Sequence, residues 1–443
     1  MSIRNALLTA VASLAIAPTA PAATKPAPPT PMIFVHGSSG SAQQFETNAM
    51  RFTSNGFPQR RIFAYEYDTL VSDNDAAVAG LDGFIGSVKR RTGAEQVDIL
   101  AHSRGTTVMH TYLETPTRAG SVRRYVNFDG RRSDDPPGGV ETLAVWGEGD
   151  QTREIGGAEN VYFPNKAHTE VTTSIAAFRE VYEFLLDRKP KRTSVKPEKP
   201  GKVTVKGRAL VFPNNTGIEG GTLRVFELEK KTGQRAEDEP IYTKEIQANG
   251  NFGPIDVNGR RHYEFEISRE GESTIHNYPE PFERDNRFYR VLTAPLLDPF
   301  IERSAEHVAI AVTRMREFWG DQPGPAFSDR LSFDGRNVIT PGTAPRQRRV
   351  LAVFNFDKNS DGVSDTSTSQ PPFDSISFLT GVDNFMQSSP DASGTITVKE
   401  KMRKPRAHTE KINVPDWPSD AHTVSVYFKD YAAKKYRKPR KSK

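Results

Sequence analysis

Between residues 31 and 189, short apolar runs alternate with longer segments whose apolar positions recur at helical spacing. Met32–Val35 has the length of a buried strand, and residues 78–88 carry an apolar stripe of helical period that ends at Gly93. Further strand-like runs and a closing helix follow at 62–67, 97–102, 125–128, 142–146, 161–163 and 175–186. This alternation predicts an α/β unit over residues 31–187, with a mostly parallel sheet and helices on both faces.

The pattern changes after residue 187. Residues 188–202 are rich in Lys and Pro, a composition that predicts a stiff, extended linker. From Val203 onward apolar and polar residues alternate with period two between Asn-Gly and Gly-Gly turns, as in strands with one buried face. We expect a β-rich sandwich or barrel over 203–428, formed as one unit or as two modules at 203–268 and 284–428. A stretch near 301–318 is predicted to be helical.

Length and composition fit several domains and point to secretion. The chain has 443 residues, enough for two or three domains, and no cysteine, which excludes disulfide scaffolds, thiol catalysis and thiolate metal sites. Residues 1–22 combine Arg4, an apolar run over 6–17 and Ala20-Pro-Ala22, the pattern of a signal peptide. No other run is long and apolar enough to cross a membrane. We therefore expect an extracellular or periplasmic protein without a transmembrane segment.

Positive charge is concentrated at the carboxyl end of the chain. Residues 429–443 contain eight Lys or Arg and one Asp, while the whole chain has a net charge of only +5. This distribution predicts a disordered basic tail that is attracted to anionic surfaces. A nucleic-acid-binding protein would instead spread basic and aromatic residues over a folded face, so we expect no nucleic-acid partner.

The most informative motif surrounds Ser103. An apolar strand-like run ends at His102, and a helix-like segment begins directly after the serine. Ala101 and Gly105 lie two positions before and after Ser103, where the crowded backbone of a tight strand-to-helix turn requires small residues. Such a turn raises the serine Oγ above the edge of the sheet. Ser103 is therefore the candidate nucleophile of a serine hydrolase.

A nucleophilic serine requires an orienting acid, and three carboxylates compete for that role. In the chain order of α/β hydrolases the acid follows a late strand and precedes the histidine. Asp150 comes after the strand-like run 142–146 and is the primary candidate. Glu148 and Asp129 are the alternatives.

The base is predicted to be His168, which lies in the loop between the run 161–163 and the closing helix. The tetrapeptide Ala-His-Thr-Glu occurs at 167–170 and again at 407–410, but His408 lies in a basic stretch without strand–loop–helix context. Three other histidines precede the position that a base requires and are interpreted as structural: His36, His102 and His110.

An oxyanion hole needs two backbone N–H groups aimed at one point. Arg104, the residue after the nucleophile, supplies one of them. His36-Gly37 forms a tight turn after the first strand, which makes the amide of Ser38 the second candidate.

Together these residues resemble a known family. Residues 31–187 are similar to the small bacterial secreted lipases of the α/β-hydrolase family with an Ala-His-Ser-x-Gly elbow. The similarity lies in Phe34-Val-His-Gly37, in 93–103 and in Ala158-Glu-Asn-Val161. It implies Ser103 as nucleophile, Asp150 as acid, His168 as base, and Ser38 and Arg104 as oxyanion donors. Arg104 departs from the family, which usually has Met there, and a cation beside the elbow would alter the acyl pocket or pair with an acid.

The β-rich region carries a second, looser resemblance. A linker followed by β structure resembles lipases that append a C-terminal β domain, which implies a role in binding lipid substrate. Residues 203–268 also resemble a small transthyretin-type module, especially at 249–257.

Within that region, one loop has the spacing of a calcium site. Four oxygen-bearing residues surround Gly362: Asp357, Asn359, Asp361 and Asp365. The twelfth position is Thr368 rather than a bidentate Glu, which excludes an ordinary EF-hand. A polar Asp-Gly turn between strands is the simpler interpretation. Calcium would be a structural ion only, and no cofactor is required.

The sequence therefore predicts a secreted carboxylic ester hydrolase of lipase type that acts through an acyl-enzyme on a hydrophobic ester. A polymer esterase whose β-rich region grips solid aliphatic polyester is the first alternative. The second is a non-catalytic, surface-binding or lipid-binding protein on a hydrolase scaffold. Loops such as 131–139 are too short for a large lid, so only the β-rich region could cover the site.

Overall fold

A computed structural model describes residues 27–404, 408–434 and 436. The predicted leader 1–22 lies outside these residues. The first unit contains one sheet with six parallel strands in the spatial order β2-β1-β3-β4-β5-β6. In chain order they are β1 Met32–Val35, β2 Ile62–Tyr65, β3 Val97–His102, β4 Val122–Phe128, β5 Glu141–Trp146 and β6 Glu159–Tyr162.

Six α-helices connect and cover these strands. They are α1 Glu46–Ser54, α2 Asp75–Thr92, α3 Arg104–Leu113, α4 Pro116–Ala119, α5 Glu170–Thr173 and α6 Ile175–Leu186. Each face of the sheet is buried by an apolar cluster. Helices α1 and α6 contribute to the cluster on one face, and α2 and α3 to the cluster on the other. Gly93 ends α2 with a φ of 67°, a left-handed conformation that glycine adopts at little cost. The predicted α/β-hydrolase core is confirmed.

The rest of the chain is β-rich, as predicted. Its strands are β7 Val203–Val211, β8 Thr216–Gly217, β9 Thr222–Leu228, β10 Tyr242–Glu245, β11 Asn251–Val257, β12 His262–Ser268, β13 Thr274–Pro279, β14 Asn286–Thr293, β15 Ile310–Phe318, β16 Arg330–Phe333, β17 Arg336–Asn337, β18 Val350–Phe356, β19 Leu379–Asp383, β20 Thr395–Lys401, β21 Thr409–Pro415 and β22 His422–Phe428. They form an eight-stranded sheet and two smaller ones.

The eight-stranded sheet has the order β10-β9-β12-β13-β22-β15-β18-β19 and crosses the boundary between the two predicted modules. β22, the last strand, lies between β13 and β15 and is parallel to both. The small sheets have the orders β11-β7-β14, with β8 on β7, and β17-β16-β20-β21. We refer to residues 203–432 together as the β unit.

The helix predicted near 301–318 is wrong, because residues 310–318 form strand β15. Its side chains alternate between buried and half-buried positions, but charged residues occupy several inward positions and hide the alternation from the sequence. Arg314, for example, is fully buried and pairs with Asp329 and Glu400. A buried arginine is uncommon unless it is paired, so the local pattern alone gives no sign that this position faces inward.

The predicted linker and the first residues of the predicted tail pack against the folded body, while residues 435 and 437–443 of that tail lie outside the described residues. Val195, in the predicted linker, is buried against Met50 of α1 and Tyr431. Lys429, the first residue of the predicted basic tail, is buried and pairs with Glu283. The ordered chain therefore extends at least to Tyr431, beyond the predicted start of the tail.

Candidate active site

Ser103 occupies the sharp turn between β3 and α3. Its φ of 52° and ψ of −123° lie in a region that non-glycine residues rarely adopt, so this turn is strained. Small neighbours make it possible. A Cβ on Gly105 would lie 2.5 Å from the main-chain oxygen of His36, and one on Gly37 would lie 2.9 Å from Cβ of Ser103. The predicted strand–turn–helix elbow is thus present.

His168 is oriented by Asp129. The Nδ1 atom of His168 lies 2.6 Å from Oδ2 of Asp129, which follows directly after β4. The other carboxylate oxygen, Oδ1, accepts the N–H of Gly147 at 2.8 Å and pairs with Nη1 of Arg153 at 2.9 Å. Burial opposes ionisation of Asp129, but the hydrogen bond from His168, the Gly147 amide and the charge of Arg153 lower its pKa below the ordinary value.

Asp150, the primary candidate for the acid, is not the carboxylate that His168 contacts. It is exposed on the loop after β5. Its Oδ1 accepts hydrogen bonds from the main-chain amide of Thr152 at 2.9 Å and from the hydroxyl of Thr152 at 2.7 Å. Glu148 pairs with Arg346 and Arg349 of the β unit. The geometry therefore favours the alternative, Asp129, whose strand β4 is the immediate neighbour of β3, the strand that leads to Ser103.

The remaining histidines lie apart from the Asp129 carboxylate, but one of them supports the site. The Nε2 atom of His102 lies 2.9 Å from the main-chain oxygen of His168, so a proton on this nitrogen fixes the loop. Burial lowers the pKa of His102 well below its ordinary value, which keeps the ring neutral. His36 is buried and stacks on Tyr67, and His408 lies beside Glu410 on the β unit.

The predicted oxyanion donors lie around the elbow. Ser38 lines the same cavity as Ser103 and His168. Arg104 is the first residue of α3, where a main-chain N–H has no carbonyl partner within the helix and is available to an anion.

The side chain of Arg104 binds the loop that precedes α2. Its guanidinium donates to the main-chain oxygens of Thr69 at 3.0 Å and Asp73 at 2.9 Å, and to Oδ1 of Asn74 at 3.1 Å. It also contacts the main-chain oxygen of Val71. The departure from the family's usual Met therefore anchors the loop before α2 and forms no pair with an acid.

Ser103 and His168 open into a cavity of about 330 Å³ whose lining is chiefly apolar. The β unit supplies most of that lining, including Leu297, Ile301, Ile310, Met315, Phe354 and Phe378. Phe378 also stacks on the His168 ring, with centroids 6.0 Å apart. The β unit thus covers the site. The loops of the α/β unit are too short to form a large lid, and this cover comes from the β unit instead.

Comparison with protein families agrees with this architecture. The model described as lipase (class 2) matches residues 29–117, and the model described as lipase C-terminal domain matches residues 201–295. The chain is thus similar to lipases in part of its α/β unit and in the first half of its β unit. A further model described as a C-terminal domain matches residues 296–432. The resemblance inferred from the motifs is confirmed; Asp129 and His168 lie beyond the class 2 match, so their pairing is known from geometry alone.

Solved structures similar to this chain include two lipases and a carboxylesterase. A Bacillus licheniformis lipase in its propeptide form is 9% identical, with a TM-score of 0.28, and the match covers 88% of this chain and 94% of that one. Aspergillus fumigatus lipase B is 12% identical, with a TM-score of 0.31 and coverage of 37% and 54%. A Bacillus subtilis carboxylesterase is 12% identical, with a TM-score of 0.27 and coverage of 37% and 86%.

The predicted calcium loop forms a polar turn. Oδ2 of Asp357 accepts the amide of Gly362 at 3.0 Å, and Asp361 and Asp365 each accept an amide two residues further on. Asn359 adopts a φ of 65° within the same turn. Over the described ranges there are two clusters of three acidic or histidine side chains whose ligand atoms lie within 4.8 Å of one another inside each cluster. Neither cluster includes these residues. These hydrogen bonds are those of the polar turn, and calcium binding stays a prediction.

Among the residues described by the structure, no helix is both long enough and apolar enough to cross a membrane.

Proposed function

We propose that the protein is a secreted serine carboxylic ester hydrolase of lipase type, with Ser103 as nucleophile, His168 as base and Asp129 as orienting acid. One observation carries the proposal. A strained elbow serine and a histidine paired with a buried aspartate line the same predominantly apolar cavity. Secretion is proposed from the sequence pattern of residues 1–22.

In the acylation step, Oγ of Ser103 attacks the ester carbonyl carbon while Nε2 of His168 takes the hydroxyl proton. The carbonyl oxygen becomes the oxyanion of a tetrahedral intermediate, which accepts hydrogen bonds from the main-chain amides of Ser38 and Arg104. Asp129 keeps the proton of His168 on Nδ1, so that Nε2 is free to accept, and stabilises the imidazolium that forms.

Collapse of the tetrahedral intermediate breaks the bond to the alkoxy group, which leaves as the alcohol with the proton from His168. Water then attacks the acyl-enzyme with His168 again as base, and the acid is released as Ser103 recovers its proton. Each half of the reaction uses the same three side chains.

The cavity lining indicates a hydrophobic acyl group. Apolar side chains of the β unit surround the space beside Ser103, and burial of each acyl CH₂ contributes roughly 0.8 kcal/mol. We propose acylglycerol-like lipid esters as substrates. An enclosing β unit suits a single chain better than the surface of a solid polymer.

The test uses the full-length protein with nitrophenyl esters of graded chain length and with a polyester emulsion. We expect turnover that is lost in Ser103→Ala and retained in the control Ser377→Ala, which removes an exposed hydroxyl from the same cavity. A fluorophosphonate probe should label the parent protein and the control but not Ser103→Ala. Undiminished turnover in Ser103→Ala contradicts the proposal, and absence of both turnover and labelling favours a non-catalytic scaffold. Faster release of acid from polyester than from soluble esters favours the polymer esterase.

A further inference from the structure

The loop that carries His168 is bound through two hydrogen bonds by a carboxylate of the β unit. The main-chain amides of Thr169 and Glu170, the two residues after His168, donate to Oε1 and Oε2 of Glu317 on β15, the second at 2.9 Å. We propose that Glu317 is a positioning residue that fixes the His168 ring for proton transfer. The inference rests on the proposed function and assigns the β unit a role beyond lining the cavity.

Glu317 is itself held rigidly. Its main-chain oxygen accepts Nη2 of Arg314 at 2.9 Å and Nη1 of Arg403 at 2.5 Å. Both arginines pair with Asp329, which is buried. The carboxylate of Glu317 is therefore presented from a fixed point of the β unit, and the loop cannot shift without breaking two hydrogen bonds to it.

The carboxylate of Glu317 binds the loop without a cationic partner. Over the described part of the chain, Glu317 has no Lys or Arg side chain within ion-pair distance of its oxygens, whereas its neighbours along the chain, Arg314 and Arg316, both pair with acids. Glu317 is fully buried, and a buried carboxylate is costly unless its lone pairs are bound. Burial raises the pKa of Glu317, and the amide of Thr169 and its own amide oppose that shift. The two loop amides that bind its oxygens follow the proposed base directly.

Three contacts from different directions restrain the His168 loop. Asp129 holds the ring at Nδ1, His102 contacts the main-chain oxygen of His168, and Glu317 binds the next two amides. The first two come from the hydrolase unit and the third from the β unit. Displacement of a reacting group by about 1 Å can reduce a rate roughly 10²-fold, so loss of one restraint should be visible in turnover.

The experiment compares Glu317→Ala and Glu317→Gln with Glu148→Ala in the full-length protein. Glu148 is also a nearly buried acid between the two units, but its side chain pairs with Arg346 and Arg349 and does not touch the histidine loop. For each variant we would measure kcat and KM on a soluble short-chain nitrophenyl ester, the rate of fluorophosphonate labelling, and Tm.

We expect kcat and the labelling rate of Glu317→Ala to fall together, by roughly 10²-fold, with KM within about twofold of the parent. Glu317→Gln keeps one acceptor oxygen and should recover part of the loss. Glu148→Ala should have a lower Tm than the parent but the same kcat. Should Glu317→Ala fail to fold, the nearly isosteric Gln variant carries the test, with the same split between kcat and KM.

Three results overturn the positioning role. One is a folded Glu317 variant whose kcat stays within threefold of the parent while Ser103→Ala is inactive. Another is a rise in KM at constant kcat, which means that the β unit acts through substrate binding only. The third is an equal loss in Glu148→Ala, which means general loosening between the units. An active Ser103→Ala instead overturns the proposed function, and the positioning role with it.

Discussion

Replacing Asp129 by asparagine tests which carboxylate orients the histidine. In the structure Oδ1 of Asp129 is bound by the Gly147 amide and Arg153, both of which are donors. In Asp129→Asn the side-chain oxygen must therefore stay on that side, which turns the new NH₂ group toward Nδ1 of His168. Nδ1 then has to accept a hydrogen bond, the ring proton moves to Nε2, and His168 can no longer take the proton of Ser103.

The magnitude follows from this enforced tautomer. Loss of the correct tautomer in a serine triad lowers kcat by roughly 10³- to 10⁴-fold, which corresponds to about 4–5.5 kcal/mol in the activation free energy. KM should stay close to that of the parent, because Asp129 is not among the side chains that line the cavity. The fold should persist, since the amide oxygen of the variant keeps the hydrogen bond from Gly147.

The assay is steady-state hydrolysis of a soluble nitrophenyl butyrate, with Asp150→Asn as the matched control. Asp150 is exposed and bonds only within its own loop, so the control should retain kcat within about twofold. The reasoning is refuted if Asp129→Asn retains a tenth or more of the parent kcat, or if Asp150→Asn loses as much.

Three further changes have definite expected results. Arg104→Met should lower the free energy of unfolding by about 1–3 kcal/mol and increase hydrogen exchange at residues 69–74, whose oxygens Arg104 holds; unchanged exchange there would contradict its anchoring role. Ala311→Phe places a larger side chain in the cavity, roughly 20 Å along β15 from Glu317. Activity on laurate esters should therefore fall more than tenfold while activity on butyrate esters persists. An equal loss on both would contradict the idea that long acyl chains extend past Ala311. Burial of Glu170 opposes ionisation, but Arg316, Arg403 and Lys166 lower its pKa to about 2. Its contribution, at most about 3 kcal/mol, is therefore complete above pH 4.5 and is lost as pH falls toward 2; urea unfolding of Glu170→Gln should show a smaller loss of stability over that range than the parent.

The elements of the hydrolase unit can be predicted because their signals are local. The small residues around Ser103 and the apolar stripe that ends at Gly93 each depend on a few neighbouring positions, and both turn and helix are present. His168 is identified by its place between a strand and the closing helix. Such signals survive without knowledge of tertiary contacts.

The acid cannot be chosen in this way. Asp129 and Asp150 both follow strands, and the choice between them depends on which strand end faces the histidine loop. Similarly, the helix predicted at 301–318 is wrong because Arg314 is compensated by acids 15 and 86 residues away in the chain. The contact of Glu317 with the amide of Glu170 spans 147 residues, and no local pattern announces it.

The position of β22 has a consequence for how the molecule is completed. This strand, formed by residues 422–428, fills the middle of the eight-stranded sheet, yet among the described strands it is the last in chain order. Until it arrives, β13 and β15 each have an open edge, which is the kind of surface that pairs with other chains. The hydrolase unit is synthesised first, but a nascent chain that has not reached residue 428 cannot close the sheet that contains Glu317. The contact between Glu317 and the His168 loop would then wait for the synthesis of β22, so that chains truncated before residue 422 are expected to lack this contact and to be prone to aggregation.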